Sequence, residues 1–124
     1  MDKFLVISLG AILGANARYW LGGWAADKFG PSFPYGTLII NVTGSFLIGV
    51  VLTLATERVA APWWVRPGIA IGFLGSYTTF STFSFETISL VESGSWMAAA
   101  ANVVGSVAAC LVGVYLGIVL ARAI

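Results

Sequence analysis

The densest group of chemically active side chains in this sequence is the run of residues 76–84. Seven of its nine residues carry hydroxyl groups, and the other two are Phe80 and Phe83. Serine and threonine hydroxyls bond to nearby backbone and compete with helical hydrogen bonds. Where a membrane helix is broken, the carbonyls freed from helical hydrogen bonds are the usual ligands for Na⁺. The N-terminus of the helix that follows the break favours anions. The run predicts either an ion-binding interruption or a continuous helix whose hydroxyls bond to its own carbonyls.

Two rings and a carboxylate lie inside or next to this run. Phe80 and Phe83 are three residues apart, and Glu86 follows three residues later. The edge of an aromatic ring carries positive quadrupole charge, so rings facing a pathway would attract an anion without holding it tightly. Ordinary packing is the alternative for both rings. Glu86 is a functional candidate as an intramembrane carboxylate, unless it lies near the interface or pairs with Arg18.

Polar side chains also recur at four-residue spacing in the second and fourth apolar segments. The second segment carries Thr37, Asn41 and Ser45, and the fourth carries a stripe of Asn102, Ser106 and Cys110. An asparagine in the middle of a membrane span is costly unless its amide finds a partner. Two interpretations remain open for Asn41: it joins helices together, or it turns an N–H towards a hydrated pathway.

The first apolar segment combines glycines with one arginine at the same spacing. Gly10, Gly14, Arg18 and Gly22 share one helical face, and the glycines allow another helix to approach closely. Arg18 has three interpretations. It extends to the lipid headgroups, anchors a buried polar network, or draws anions towards a vestibule.

The composition places these residues in a membrane protein of one domain, residues 1–124. The chain is 59% hydrophobic and 9% charged, whereas soluble domains carry about 25% charged residues. A membrane helix needs about 20 apolar residues, and four stretches qualify: 4–26, 37–56, 65–91 and 96–121. As one straight helix the third stretch would measure about 40 Å, which exceeds the core of about 30 Å. The sequence therefore predicts an all-α membrane protein whose third helix is broken near residues 75–82.

Charge and composition exclude several classes of protein. The formal net charge is +1 without a basic cluster, histidine is absent, and Cys110 is the single cysteine. Nucleic acid is not an expected partner, and no nucleophile–base pair or metal cluster indicates an enzyme. Residues 4–17 resemble a signal peptide, but the apolar character continues past them, so we expect a retained helix.

The distribution of basic residues says little about how the chain is oriented in the membrane. Four of them (Lys3, Arg58, Arg66 and Arg122) fall on one predicted side, and two (Lys28 and Arg18) fall on the other. Under the positive-inside rule this is a thin bias, typical of a weakly oriented chain or of one that inserts both ways. Four short helices cannot satisfy all of these small and polar faces internally, so we expect a homo-oligomer.

Four stretches together resemble the Fluc (CrcB) family of fluoride channels. They are Gly-Ala-Asn-Ala-Arg-Tyr at 14–19, Gly-Thr-Leu-Ile-Ile-Asn-Val-Thr-Gly-Ser-Phe-Leu-Ile-Gly at 36–49, Gly-Phe-Leu-Gly at 72–75 and Thr-Thr-Phe-Ser-Thr-Phe-Ser-Phe-Glu at 78–86. The resemblance implies a dual-topology homodimer of two antiparallel protomers with two fluoride pathways, each lined by both subunits. It also implies a multi-pass protein of a prokaryotic inner (plasma) membrane that exports fluoride from the cytoplasm.

The same resemblance implies a role for individual residues. Phe80 and Phe83 match the family's pore phenylalanines, and Asn41 matches its fluoride-bonding amide. The polar lining or its track would comprise Thr37, Ser81, Thr82, Ser84, Glu86, Ser106 and Cys110. Main-chain oxygens of Gly75 and Thr78 from both protomers would hold a central structural Na⁺.

Two other functions compete with a fluoride channel. A proton-coupled small-molecule exporter of a four-helix dimeric class needs a titratable carboxylate in the membrane, for which Glu86 is the candidate. A non-transporting assembly subunit would need no polar residues facing a pathway.

Overall fold

The apolar segments form helices because a backbone in lipid must satisfy its own hydrogen bonds. The computed structural model describes residues 2–58 and 60–124, and within these ranges it contains helices and connections but no strand. Helix α1 is Asp2–Phe29, α2 is Tyr35–Arg58 and α5 is Trp96–Ala123. All three are long and apolar enough to cross a membrane. The predicted all-helical class is confirmed.

The third apolar segment consists of two helices. Helix α3 is π-helical over Val65–Leu74 and ends in the α-helical turn Gly75–Tyr77, and helix α4 is Phe80–Glu92. Between them the backbone is extended, with φ −81° and ψ 157° at Thr78 and φ −151° and ψ 115° at Thr79. The interruption expected near residues 75–82 is therefore present as a two-residue break.

The helices end at positions where glycine is required. Gly30 and Gly94 have φ of 76° and 83°, a region that favours glycine over residues with a Cβ. The N–H of Gly30 donates to the Ala26 carbonyl at 2.9 Å, and that of Gly94 donates to Val91 at 3.0 Å. These bonds satisfy carbonyls at the ends of α1 and α4.

Glycine seams bring the helices into backbone contact. A Cβ at Gly10 would overlap the Gly68 carbonyl, and one at Gly14 would overlap the Phe73 carbonyl and the Ser76 hydroxyl. A Cβ at Gly23, also on α1, would meet nothing within 4 Å. Because lipid gives helices no hydrophobic reason to associate, such close packing stabilises their contacts. Gly10 and Gly14 therefore serve the packing of α1 against α3.

A second seam joins α2 to α5. A Cβ at Gly49 would lie 2.5 Å from the Val114 carbonyl, and one at Gly113 would lie 3.1 Å from the Val42 carbonyl. At one end of this pair, Arg122 donates two hydrogen bonds to Glu57, at 2.8 and 2.9 Å. The two helices thus form a fixed pair against which α3 and α4 are placed.

The protomer buries little and exposes a large apolar surface. Its core centres on Ile40, Leu74 and Tyr77. Large apolar side chains such as Leu9, Leu13 and Val104 are exposed along the spans. Exposed apolar surface on this scale requires lipid or another protein surface to cover it.

Candidate ion pathway

The extended break is held by the side chain of Asn41 from α2. The Asn41 amide donates to the Thr79 carbonyl at 3.0 Å, and its oxygen accepts from the Thr79 N–H at 2.8 Å. Both backbone groups of Thr79 are therefore satisfied without a helix. An amide carries two N–H groups, and the second one of Asn41 has no acceptor among the described residues. Asn41 thus connects α2 to the break and keeps one donor; the interpretation that this donor faces a hydrated pathway stays a prediction.

Thr79 is a site residue that the sequence did not single out. Its hydroxyl accepts from the Thr82 N–H at 3.2 Å and caps the N-terminus of α4. The residue is 9% exposed. A threonine directly before the first apolar residue of a helix is a recognised cap signal, but the dense hydroxyl run hides which of several threonines has this role.

A cavity of about 370 Å³ lies beside the break, lined by α2, α4, α5 and the end of α3. Phe80 and Phe83 both line it, with ring centroids 5.4 Å apart and planes inclined at 41°. Phe83 is 8% exposed, whereas Phe80 is 76% exposed. One ring is therefore fixed in the protomer, and the other projects from it. Other residues that line this cavity include Asn41, Gly75, Thr78, Ser106 and Cys110.

The break also frees main-chain oxygens at the edge of this cavity. In a continuous helix the Thr79 N–H would donate to the Gly75 carbonyl. Here it donates to the side-chain oxygen of Asn41 instead. In the described part of the chain no backbone N–H donates to the carbonyls of Gly75 or Thr78. Gly75 is exposed, and a Cβ there would meet only the Ala70 carbonyl, at 3.7 Å. Uncommitted carbonyl oxygens are suitable ligands for a hard cation such as Na⁺.

A second, larger cavity of about 830 Å³ opens on the other side of Thr79. Arg18, Thr37, Thr82 and Glu86 line it. The Thr37 hydroxyl donates to the Glu86 carboxylate at 2.5 Å. Among the described residues Arg18 and Glu86 form no ion pair, so the alternative that Glu86 pairs with Arg18 is not what the structure shows. The cavity places a guanidinium and a carboxylate around one opening.

Helix α4 separates the two cavities because its faces point in different directions. Phe80 and Phe83 line the smaller cavity, whereas Thr82 and Glu86 line the larger one. Thr79 lines both. The clamped break therefore borders both cavities.

Two predicted pathway residues line neither cavity. Ser81 is exposed, with its hydroxyl 3.3 Å from that of Thr79. The Ser84 hydroxyl donates to the Phe80 carbonyl of its own helix at 2.9 Å. Ser84 therefore bonds back to its own helix, as the continuous-helix alternative predicted. For the third segment as a whole that alternative is wrong, because the helix is broken.

The predicted stripe on α5 is a buried hydrogen-bond chain. Ser106 donates to the Asn102 oxygen at 3.1 Å, and the Asn102 amide donates to the Thr87 hydroxyl at 2.9 Å. Thr87 then donates to the Phe83 carbonyl at 2.8 Å. Cys110, one turn further along, lines the smaller cavity. Thr87 was missed because nothing in its local sequence distinguishes it from the other hydroxyl residues of α4.

Comparison with known proteins gives consistent matches along the chain. Residues 5–118 match the family model described as CrcB-like protein, Camphor Resistance (CrcB). A "Fluoride-specific ion channel FluC" from Roseiflexus sp. (strain RS-1) is 53% identical over 120 residues, covering 97% of each chain. Proteins of the same name from Chloroflexus aurantiacus and Citrifermentans bemidjiense are each 48% identical. The match covers 98% of this chain and 97% of the former protein, and 100% of both chains for the latter.

Proposed function

This chain belongs to the CrcB-like family, a family of ion channels and not of enzymes, and from that membership we propose that it is a passive fluoride channel. It is a multi-pass membrane protein. The proposed location is the inner membrane of a prokaryote, where the protein exports fluoride from the cytoplasm. The observation that carries the proposal is the cavity that brings Phe80 and Phe83 together with the Asn41 amide. Among the described residues no charged side chain lines that cavity, so an anion there would meet only neutral groups, among them the two rings and the Asn41 amide.

The proposed route runs from the larger cavity past Thr79 into the smaller one. Arg18 attracts the anion to the opening, and Thr37, Thr82 and Glu86 form the polar wall that follows. Fluoride is small and strongly hydrated, so its water must be replaced by good donors. The uncommitted N–H of Asn41 and nearby hydroxyls supply them, and the ring edges add a shallow attraction. Conduction needs binding that is firm enough for entry and weak enough for release.

The protomer forms only part of this route, which supports a homodimer, and the thin charge bias of the chain supports antiparallel protomers. Phe80 is 76% exposed at the edge of the cavity, and Gly75 is exposed beside it. A second copy over this face would cover both residues and close the open side of the cavity. Ser95→Cys, at an exposed position of the connection between α4 and α5 where φ is −87°, should react with a membrane-impermeant thiol reagent from both sides of the membrane. Labelling from one side only would contradict the dual topology.

A central Na⁺ belongs to the same proposal. The carbonyls of Gly75 and Thr78 receive no hydrogen bond in the described chain, and copies from two protomers would supply the several oxygen ligands that a hard cation needs. The fixed positive charge would favour an anion in the adjacent cavity. The proposal makes both protein stability and fluoride efflux dependent on Na⁺, so exchange of Na⁺ for a larger cation should impair both.

Fluoride efflux from proteoliposomes tests the proposal directly. Liposomes loaded with potassium fluoride, with Na⁺ present in the buffers on both sides of the membrane, should release fluoride when valinomycin carries the counter-current, as measured with a fluoride electrode. Protein-free liposomes and the same proteoliposomes without valinomycin serve as controls. No efflux above these controls would overturn the channel function and leave an assembly subunit. Efflux that requires a proton gradient would favour the proton-coupled exporter, with Glu86 as its carboxylate.

A further inference from the structure

A buried hydrogen-bond chain connects the smaller cavity with the interface between α4 and α5. Asn102 is 2% exposed, and Ser106 is 5% exposed. Asn102 does not line the cavity, whereas Ser106 does. The Asn102 amide lies between two hydroxyls, those of Ser106 at 3.1 Å and Thr87 at 2.9 Å. Its only side-chain partners in the described chain are therefore groups that can each donate or accept.

The donors assigned to the three hydrogen bonds of this chain all point away from the cavity. Ser106 donates to Asn102, Asn102 donates to Thr87, and Thr87 donates to the Phe83 carbonyl. The Ser106 oxygen consequently faces the cavity with lone pairs, an arrangement that repels an anion. Ser106 can donate to an anion in the cavity when the hydrogen bonds of this chain run in the opposite direction, towards the cavity.

The opposite direction uses the same heavy atoms. A half-turn of the Asn102 amide exchanges its oxygen and nitrogen, which have nearly the same shape. Its N–H then donates to Ser106, and its oxygen accepts from Thr87. The Phe83 carbonyl loses a side-chain bond but stays within the hydrogen-bonded α4 helix. No proton is transferred between heavy atoms, because the two hydroxyls only rotate.

We propose that Asn102 is a positioning residue that sets the direction of the Ser106 hydroxyl, and that fluoride at Ser106 reverses the Ser106–Asn102–Thr87 chain. This inference rests on the proposed fluoride function. In the reversed state the Asn102 N–H polarises Ser106, and bonds in such chains strengthen one another. Ser106 thus offers an acceptor to water in the empty pathway and a strengthened donor to the anion.

A double-mutant cycle tests the proposal in proteoliposomes at limiting fluoride. Asn102→Leu and Ser106→Ala should each lower the efflux rate by about tenfold, the scale expected when a hydrogen bond to a charged group is lost. The double variant should be no slower than Ser106→Ala alone, because Asn102 acts only through that hydroxyl. If the double variant instead shows the product of the two single losses, about a hundredfold lower efflux, the positioning role of Asn102 is wrong.

Thr87 gives a second, independent arm of the test. Thr87→Ser keeps the hydroxyl and should retain efflux, whereas Thr87→Val removes it and should lower efflux to the level of Asn102→Leu. Equal rates for the two Thr87 variants would overturn the proposal even if Asn102→Leu fails to fold. Asn16→Leu is the matched control, because the Asn16 amide donates only to the Ile12 carbonyl of its own helix. Wild-type protein without fluoride efflux would overturn the proposed function itself, which separates the two failures.

Discussion

Replacement of Phe80 or Phe83 by isoleucine should reduce fluoride efflux to near the leak of protein-free liposomes. Both rings line the smaller cavity, where no charged side chain of the described ranges attracts the anion. Isoleucine keeps the apolar bulk and removes the ring and its edge charge. The opposite case, a cation over the face of a ring, is worth about 2 kcal/mol when desolvated, and we expect the same scale for an anion at a ring edge. Since about 1.4 kcal/mol is a factor of ten in rate, each substitution should cost more than tenfold.

The two rings differ in burial, and their variants need different controls. Phe4 is 72% exposed on α1 and lines neither cavity, so Phe4→Ile should retain wild-type efflux and serves as the control for Phe80→Ile. Phe83 is 8% exposed, and its substitution also removes packing. Light scattering must therefore show that the variant keeps the oligomeric state of the wild-type protein. Normal efflux by both intact variants would show that the anion does not pass these rings.

The broken third segment was predictable because two independent quantities indicated it. The segment is too long for a straight helix across the membrane, and the hydroxyls of residues 76–84 compete with helical bonds. The structure places the break at Thr78 and Thr79, inside the predicted interval. Sequence could not select these two residues, because the choice depends on where the Asn41 side chain reaches from α2.

The orientation of individual hydroxyls was not predictable for a related reason. Ser84 is one of several hydroxyl residues in the run 76–84, and its local sequence does not distinguish it from the others. Its hydroxyl nevertheless bonds to the Phe80 carbonyl, and the residue lines neither cavity. The break resets the helical phase at Phe80, and this phase decides which residues of α4 face each cavity. A helix start that is known to within two residues leaves that face undetermined, since each residue turns the helix by about 100°.

The partners of the charged and amide groups also required the tertiary structure. Glu86 receives its hydrogen bond from Thr37, which is 49 residues away in the chain, and forms no ion pair with Arg18 in the described part of the molecule. The spacing of Asn102 and Ser106 predicted a shared face, and they are hydrogen-bonded. Thr87, which completes that chain, comes from a different helix. Periodicity reports which residues share a face but not what the face meets.

Asn41→Leu should lose both fluoride efflux and stability, because the amide has two duties in the structure. Leucine has a similar size but cannot bond to the Thr79 N–H or carbonyl, and both groups lose their partner. Each buried polar group left unsatisfied costs about 1–3 kcal/mol. The free energy of unfolding in detergent should therefore fall by about 2–6 kcal/mol in total. A residue that only donates to fluoride would leave stability unchanged.

The dependence on Na⁺ separates the clamp from the donor role. Thr78, whose carbonyl is a proposed Na⁺ ligand, directly precedes the clamped Thr79, so release of the clamp should also disorder the cation site. Exchange of Na⁺ for N-methyl-D-glucamine should lower the thermal midpoint and the efflux of wild-type protein, since an ion that binds only the folded state stabilises it. Asn41→Leu should show no such difference in thermal midpoint, whereas Asn16→Leu, whose amide bonds within α1, should behave as wild type. A wild-type protein that is indifferent to Na⁺ would contradict the cation site. An Asn41→Leu variant that keeps the full response to Na⁺ would show that the clamp does not hold the site in place.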